Sequence, residues 1–152
     1  MCAELVDDRR WLTAAIELSK RCPPVDQAFA VGAVIVGADG VQLAFGYSRE
    51  TDPVVHAEES ALAKLAGSGV DLSGATIYST LEPCSQRASR SRSCTQLILD
   101  AGIKRVVLAW REPALFVADA QGTELLEAAG VAVVELPEFA EAARAVNAYL
   151  FP

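Results

Sequence analysis

Apolar residues recur along this chain in two rhythms, and the switching between them lays out its elements. From Asp7-Asp8 onward, Trp11, Leu12, Ala15, Ile16 and Ser19 share one side of a 3.6-residue period. They predict a helix that Cys22-Pro23-Pro24 must end, because proline has no N–H for the ladder. Residues 31–36 are a continuous apolar run of strand type, and 37–40 form a turn closing on the hairpin dipeptide Asp39-Gly40. Val41, Leu43 and Phe45 then alternate as a second, antiparallel strand. After a loop over 46–53, Ala57, Ala61, Leu62 and Leu65 predict a helix over 55–66, stopped by Gly67. A strand over 75–80 follows. Cys94 opens a helical pattern that ends before Gly102, and 104–110 reads as a fourth strand. A helix over 121–129, a strand over 131–136 and a last helix over 137–151 complete the order αββαβαβαβα. An opening hairpin followed by strand–helix alternation predicts an α/β fold of three layers, α/β/α, with a five-stranded mixed sheet covered on both faces. Its later strands should be parallel, with right-handed crossovers, and ligands should bind near strand ends and helix starts.

Composition narrows the classes. The 152 residues are 52% hydrophobic, which suits one domain over 1–152 with its own core. The net charge of −7 argues against a nucleic-acid partner, since such proteins present a basic face. The N-terminus shows no apolar signal region and no run reaches membrane-spanning length, so no membrane role is expected. Four cysteines without an export signal point to the reducing cytoplasm. Cys2 and Cys22 have no motif around them and are read as incidental or structural. A mean hydropathy of +0.27 is high for 16.1 kDa and suggests a homodimer or higher homo-oligomer.

The chemistry gathers in two segments. One is His56-Ala57-Glu58-Glu59; the other runs from Thr80-Leu81-Glu82-Pro83-Cys84 to Cys94. His56, Cys84 and Cys94 offer one imidazole and two thiols, a donor set that suits one catalytic Zn²⁺ per chain with its fourth position left to water. His56 is the only histidine. The cysteines are separated by nine residues rather than two, so a loop disulfide is the competing reading. Helix starts at His56 and Cys94 would favour anionic ligands there. The loop Ser85–Ser93 carries Arg87, Arg90 and Arg92, three arginines in six residues of an acidic chain. The two readings of that loop are solvated surface and an anion contact in which one arginine forks onto a phosphate or carboxylate of a substrate. Glu59 is expected to point away from the site and to matter little.

The H-x-E then P-C pattern resembles the signature of zinc nucleobase deaminases, in which the glutamate carries protons and is not a ligand. The chain as a whole resembles the cytidine-deaminase-like superfamily, most of all the deaminase domain of the bifunctional riboflavin-biosynthesis deaminase/reductase. The likeness rests on Val31-Gly-Ala-Val-Ile-Val36, His56-Ala-Glu58, Thr80-Leu-Glu-Pro-Cys-Ser85, the long gap to Cys94 and Ala101-Gly-Ile-Lys-Arg-Val-Val107. It implies a cytidine-deaminase-like fold, zinc ligands at His56, Cys84 and Cys94, and a proton shuttle at Glu58. It also implies a diaminopyrimidine ribosyl phosphate as substrate, with Arg90 at the basic position near the phosphate. The reductase domain is read as absent. Ala28-Phe29 stand where the family has Asn-Pro against the substrate, Gln86-Arg87-Ala88 replace its tract after Pro-Cys-Ser, and Glu112-Pro113-Ala114-Leu115 replace its Asp-Pro-Asn-Pro. The expected activity is therefore zinc-dependent hydrolytic deamination of a small amino-pyrimidine-type base, nucleoside or nucleotide. A purine, guanine or pterin base deaminase, a non-catalytic zinc protein and a polynucleotide-editing deaminase are the rival readings.

Overall fold

The computed structural model describes residues 2–113, 115 and 120–151, with side chains from residue 7 onward. Ala114 and the side chain of Cys2 lie outside the described residues. The elements are α1 (Cys2–Ser19), β1 (Gly32–Val36), β2 (Gln42–Tyr47), α2 (Ala57–Ala63), β3 (Thr76–Leu81), α3 (Cys94–Ala101), β4 (Arg105–Trp110), α4 (Gly122–Ala128), β5 (Ala132–Glu135) and α5 (Ala140–Val146). The sheet runs β2-β1-β3-β4-β5. β1 is antiparallel to both β2 and β3, while β3, β4 and β5 are parallel, as the hairpin followed by strand–helix alternation predicts.

The period of two along the strands sorts the core into two layers. Val34, Val36, Tyr78 and Val107 face α1, where they meet Trp11, Leu12 and Ile16. Their neighbours Ile35, Ile77 and Val106 face the other way, toward Ala61 of α2, Ile98 of α3 and Leu126 of α4. Among the described residues, no helix is long and apolar enough to cross a membrane.

Three expected elements differ from those observed. The first helix begins at Cys2 rather than at Asp7-Asp8. The second is shorter than 55–66: His56 is extended, with φ −88° and ψ 160°, and caps a helix that ends at Ala63 before turns lead to Gly67 at φ +75°. The expected 137–151 helix is broken into a 3-10 turn, α5 and a second 3-10 turn. Asn147 sits at the second of these breaks. Its side chain accepts from the Ala30 N–H at 2.7 Å and donates to the Ala30 carbonyl at 3.0 Å and to the Ala143 carbonyl of α5 at 3.3 Å, so it ties the end of α5 to the neighbouring segment.

α1 is bolted to the sheet by a buried polar group that its apolar stripe did not reveal. Asp8 accepts from the Tyr78 hydroxyl at 2.7 Å and from both terminal nitrogens of Arg105 at 2.8 and 2.6 Å. Burial pushes the Asp8 carboxyl up, but the hydrogen bonds and charge of Arg105, with Tyr78, outweigh it and hold the group below its ordinary value. A depressed folded-state pKa contributes stability above the unfolded value of about 3.9 and loses it as pH falls through the folded one. Asp8→Asn should therefore cost about 2–3 kcal/mol in urea unfolding at pH 7, and the gap from the parent should narrow as the pH approaches 3. A gap that stays constant with pH would mean the carboxylate charge is not what holds α1.

Candidate metal centre and active site

The loop from β2 delivers His56 to the start of α2, and β3 delivers Cys84 just past its end. Gly46 makes the first possible: a Cβ there would meet the Ala57 carbonyl oxygen at 2.3 Å, so only glycine lets β2 press on the first turn of α2. Glu82 fixes the second. Its carboxylate accepts from the Glu112 N–H at 3.1 Å and from the Thr123 N–H and hydroxyl at 2.8 and 2.6 Å, tying the end of β3 to β4 and α4. Gly122 belongs to the same joint, since a Cβ would lie 2.1 Å from the Pro83 oxygen. Cys94 opens α3, whose cap is Ser93 Oγ accepting from the Gln96 N–H at 3.1 Å.

These elements bring His56, Cys84 and Cys94 together with their donor atoms all within 4.8 Å of one another. His56 Nδ1 lies 3.3 Å from Cys94 Sγ and 3.6 Å from Cys84 Sγ. Zinc with Zn–S of about 2.3 Å and Zn–N of about 2.0 Å in tetrahedral geometry places such atoms about 3.6 Å apart. Both cysteines are free thiols, so the disulfide reading falls; Cys22 is free as well, its thiol directed at the Val31 carbonyl. The hydrogen bond from the Cys94 thiol, with help from His56 and against burial, holds Cys84 at about 4, and the Cys94 N–H also points at its sulfur. Cys94 goes the opposite way, raised by giving that hydrogen bond, by burial and by Glu58. Burial lowers His56, but the neighbouring Cys84 sulfur outweighs it and raises the imidazole. A thiolate beside a shared thiol proton and an imidazole nitrogen is a donor set that fits zinc.

Glu58 stands next to this cluster, 3% exposed, with the Ser79 hydroxyl donating to its Oε2 at 3.2 Å. Burial raises its pKa, against the charge of His56. Glu58, His56 and Cys84 line one cavity of about 610 Å³. Ala28 and Phe29 line it too, and the Phe29 ring also packs edge-on to Trp110 at 5.9 Å and near-parallel to Phe151 at 6.3 Å.

Arg87 and Arg90, the loop residues expected to meet an anion, each pair with protein carboxylates. Arg87, its side chain 4% exposed, donates to Glu59 Oε1 at 3.0 Å and to the Val54 carbonyl at 2.8 Å. Arg90 donates to Glu59 Oε2 at 2.9 Å and to Asp52 Oδ2 at 2.5 Å. Glu59 points away from the cavity as expected, yet it is not idle: it also accepts from the His56 N–H at 3.2 Å. One carboxylate thus joins the cap of α2 to the loop between the two cysteines. Glu59→Ala should cost about 3 kcal/mol in urea unfolding, because it strands the buried Arg87. A loss below about 0.5 kcal/mol would show that both arginines re-pair without it.

Two cavity residues escaped the sequence reading. Arg49 sits in the loop before His56, with its backbone at φ +61°. Glu112 follows β4; burial, then the charges of Cys84, Glu82 and Glu58, push its carboxyl up to about 7. The available signals were a basic residue seven positions before the histidine and an acidic one two positions past a strand's C-terminal end.

The zinc-binding region of cytidine and deoxycytidylate deaminases matches residues 5–110. The diaminohydroxyphosphoribosylamino-pyrimidine deaminase of Schizosaccharomyces pombe is 45% identical over 127 residues, 82% of this chain and 31% of its own length. The riboflavin biosynthesis protein RibD of Corynebacterium ammoniagenes is 41% identical over 109 residues, 70% of this chain and 30% of its own. The crystal structure of a diaminohydroxyphosphoribosylaminopyrimidine deaminase/5-amino-6-(5-phosphoribosylamino)uracil reductase from Thermotoga maritima superposes with a TM-score of 0.78 at 32% identity, over 95% of this chain and 40% of that one. The chain spans about a third of the length of the curated relatives it matches. The matched region and the one His/Cys/Cys cluster among the described residues support one zinc per chain. With the sheet order, the donor set and the adjacent glutamate agreeing with that match, the chain belongs to the cytidine and deoxycytidylate deaminase zinc-binding family.

Proposed function

We propose that this chain is a hydrolytic deaminase of a small amino-pyrimidine-type base, nucleoside or nucleotide. The observation that carries this is the buried Glu58 carboxylate opening on the same cavity as His56 and Cys84. A purely structural zinc site closes with four protein ligands and has no use for such a group. Held by His56, Cys84 and Cys94, zinc would supply a water activated at near-neutral pH. Glu58 takes one proton from the attacking water and hands it to a ring nitrogen as the oxygen adds to the amine-bearing carbon. It then carries the second proton, from the new hydroxyl, to the amine, and the C–N bond breaks as the C=O forms and ammonia leaves. The Ser79 hydroxyl lies beside the Glu58 carboxylate, 3.2 Å from Oε2, and is 2.8 Å from the Leu81 carbonyl. The apolar wall at Ala28 and Phe29 excludes water from the ring. The names of the riboflavin-pathway relatives support a diaminopyrimidine ribosyl phosphate as the first substrate to try. Within this reading the enzyme works in the cytoplasm as a homo-oligomer.

The test is ammonia release from zinc-loaded protein against aminated pyrimidines, their nucleosides and nucleotides, the diaminopyrimidine ribosyl phosphate, and purine and pterin bases. Turnover confined to pyrimidine-type rings is expected. Turnover confined to purines or pterins would move the substrate class, and no ammonia from any of them would overturn the enzyme reading.

A further inference from the structure

A nucleotide substrate brings an anionic end into the cavity, where the acidic side chains of Glu58, Glu82 and Glu112 would repel it. Among the described residues, the arginines lining that cavity are Arg49 and Arg87. Arg87 is matched by Glu59, and outside the lining Arg90 is matched by Glu59 and Asp52. Arg49 differs from both. It donates only to neutral carbonyls, Nε to Pro23 at 2.9 Å and Nη1 to Phe29 at 3.3 Å. Its Nη2 is buried with no hydrogen-bond partner; Arg87 Nε shares that property, but Arg87 has the Glu59 carboxylate beside it and Arg49 has no such partner among the described residues. A guanidinium partly removed from water without a counter-charge is disfavoured. The backbone is also held in the left-handed region at φ +61°, with the Arg49 N–H donating to the Val55 carbonyl at 2.8 Å. Such strain in a non-glycine residue persists where the surroundings over-determine it, as they do at ligand clamps.

We propose that Arg49, rather than Arg87 or Arg90, binds the anionic end of the substrate, a phosphate monoester. The proposal rests on the deaminase reading and adds to it a specificity residue. A phosphate oxygen satisfies the buried Nη2 and supplies the missing counter-charge, in a charge-assisted hydrogen bond that the planar guanidinium is built to make. The loop arginines, already paired, serve to hold the Cys84–Cys94 loop in place.

Inorganic phosphate is the probe, titrated by calorimetry into the zinc-loaded full chain. Arg49→Gln should weaken phosphate binding about ten- to a hundredfold. Arg92→Gln makes the same change of charge at a loop residue whose side chain is 57% exposed and paired with Asp100, and should leave phosphate binding unchanged. Arg49→Lys keeps the charge without the fork and should bind phosphate with intermediate affinity; it decides the matter if Arg49→Gln does not fold. On the best substrate from the ammonia screen, Arg49→Gln should also shrink the preference for the phosphorylated over the dephosphorylated form by at least about tenfold. Equal phosphate affinity in Arg49→Gln and the parent, equal weakening in Arg92→Gln, or no phosphate binding by the parent would each overturn the proposal. The calorimetric arm does not depend on turnover, so a failed ammonia screen sinks the deaminase reading without deciding the role of Arg49.

Discussion

Glu58→Gln is expected to retain its zinc and to release ammonia about a hundredfold to ten-thousandfold more slowly than the parent. The amide fills the space of the carboxylate and still accepts from the Ser79 hydroxyl, so the wall of the cavity is preserved. What it cannot do is take up a proton and give it back. The residue serves more than one transfer in the proposed cycle, so the loss should sit at the upper end of that range and fall on kcat, with KM little changed. Metal analysis of the same preparation separates this from site collapse. A variant with one zinc per chain and near-normal ammonia release would remove Glu58 from the chemistry, whereas one that had lost its zinc would point to a role in holding the cluster.

The fold was largely legible because its signals are local. The switch from a period of 3.6 to a period of two, with proline and glycine at the joints, locates every strand of the sheet to within about two residues. Where it failed, a side chain was working at long range. Asn147 divides its amide between Ala30, 117 positions away, and the Ala143 carbonyl, at the point where α5 gives way to a 3-10 turn. The metal cluster was legible for a chemical reason: few residue types make a zinc donor set, and a single histidine leaves one choice. The loop arginines stand out as an excess of cation in an acidic chain, and Arg90 falls at the basic position that the family resemblance implies near a phosphate. The excess is real along the sequence and vanishes in space, because Glu59 and Asp52 come to meet it. Arg49 was missed for the converse reason, since an unmatched charge can be recognised only once its neighbours are known.

His56→Ala, Cys84→Ala and Cys94→Ala should each drop zinc below about a tenth of an equivalent, and with it all ammonia release, because a site with three protein ligands has none to spare. Loss should exceed that of Glu58→Gln, which keeps the metal. The cost should reach beyond activity. Cys84 and Cys94 close the same loop, and the Cys94 N–H and thiol both turn toward the Cys84 sulfur, so the metal ties the end of β3 to the start of α3. A ligand that binds only the folded chain stabilises it by about 4 kcal/mol when present at a thousand times its dissociation constant. Stripping the parent with a chelator should therefore lower its unfolding midpoint, and added zinc should restore both midpoint and turnover. The three alanine variants should match the stripped parent and fail to respond to zinc. A variant that kept a full equivalent of zinc would mean that its side chain is not a ligand and that the fourth position is filled by the protein after all.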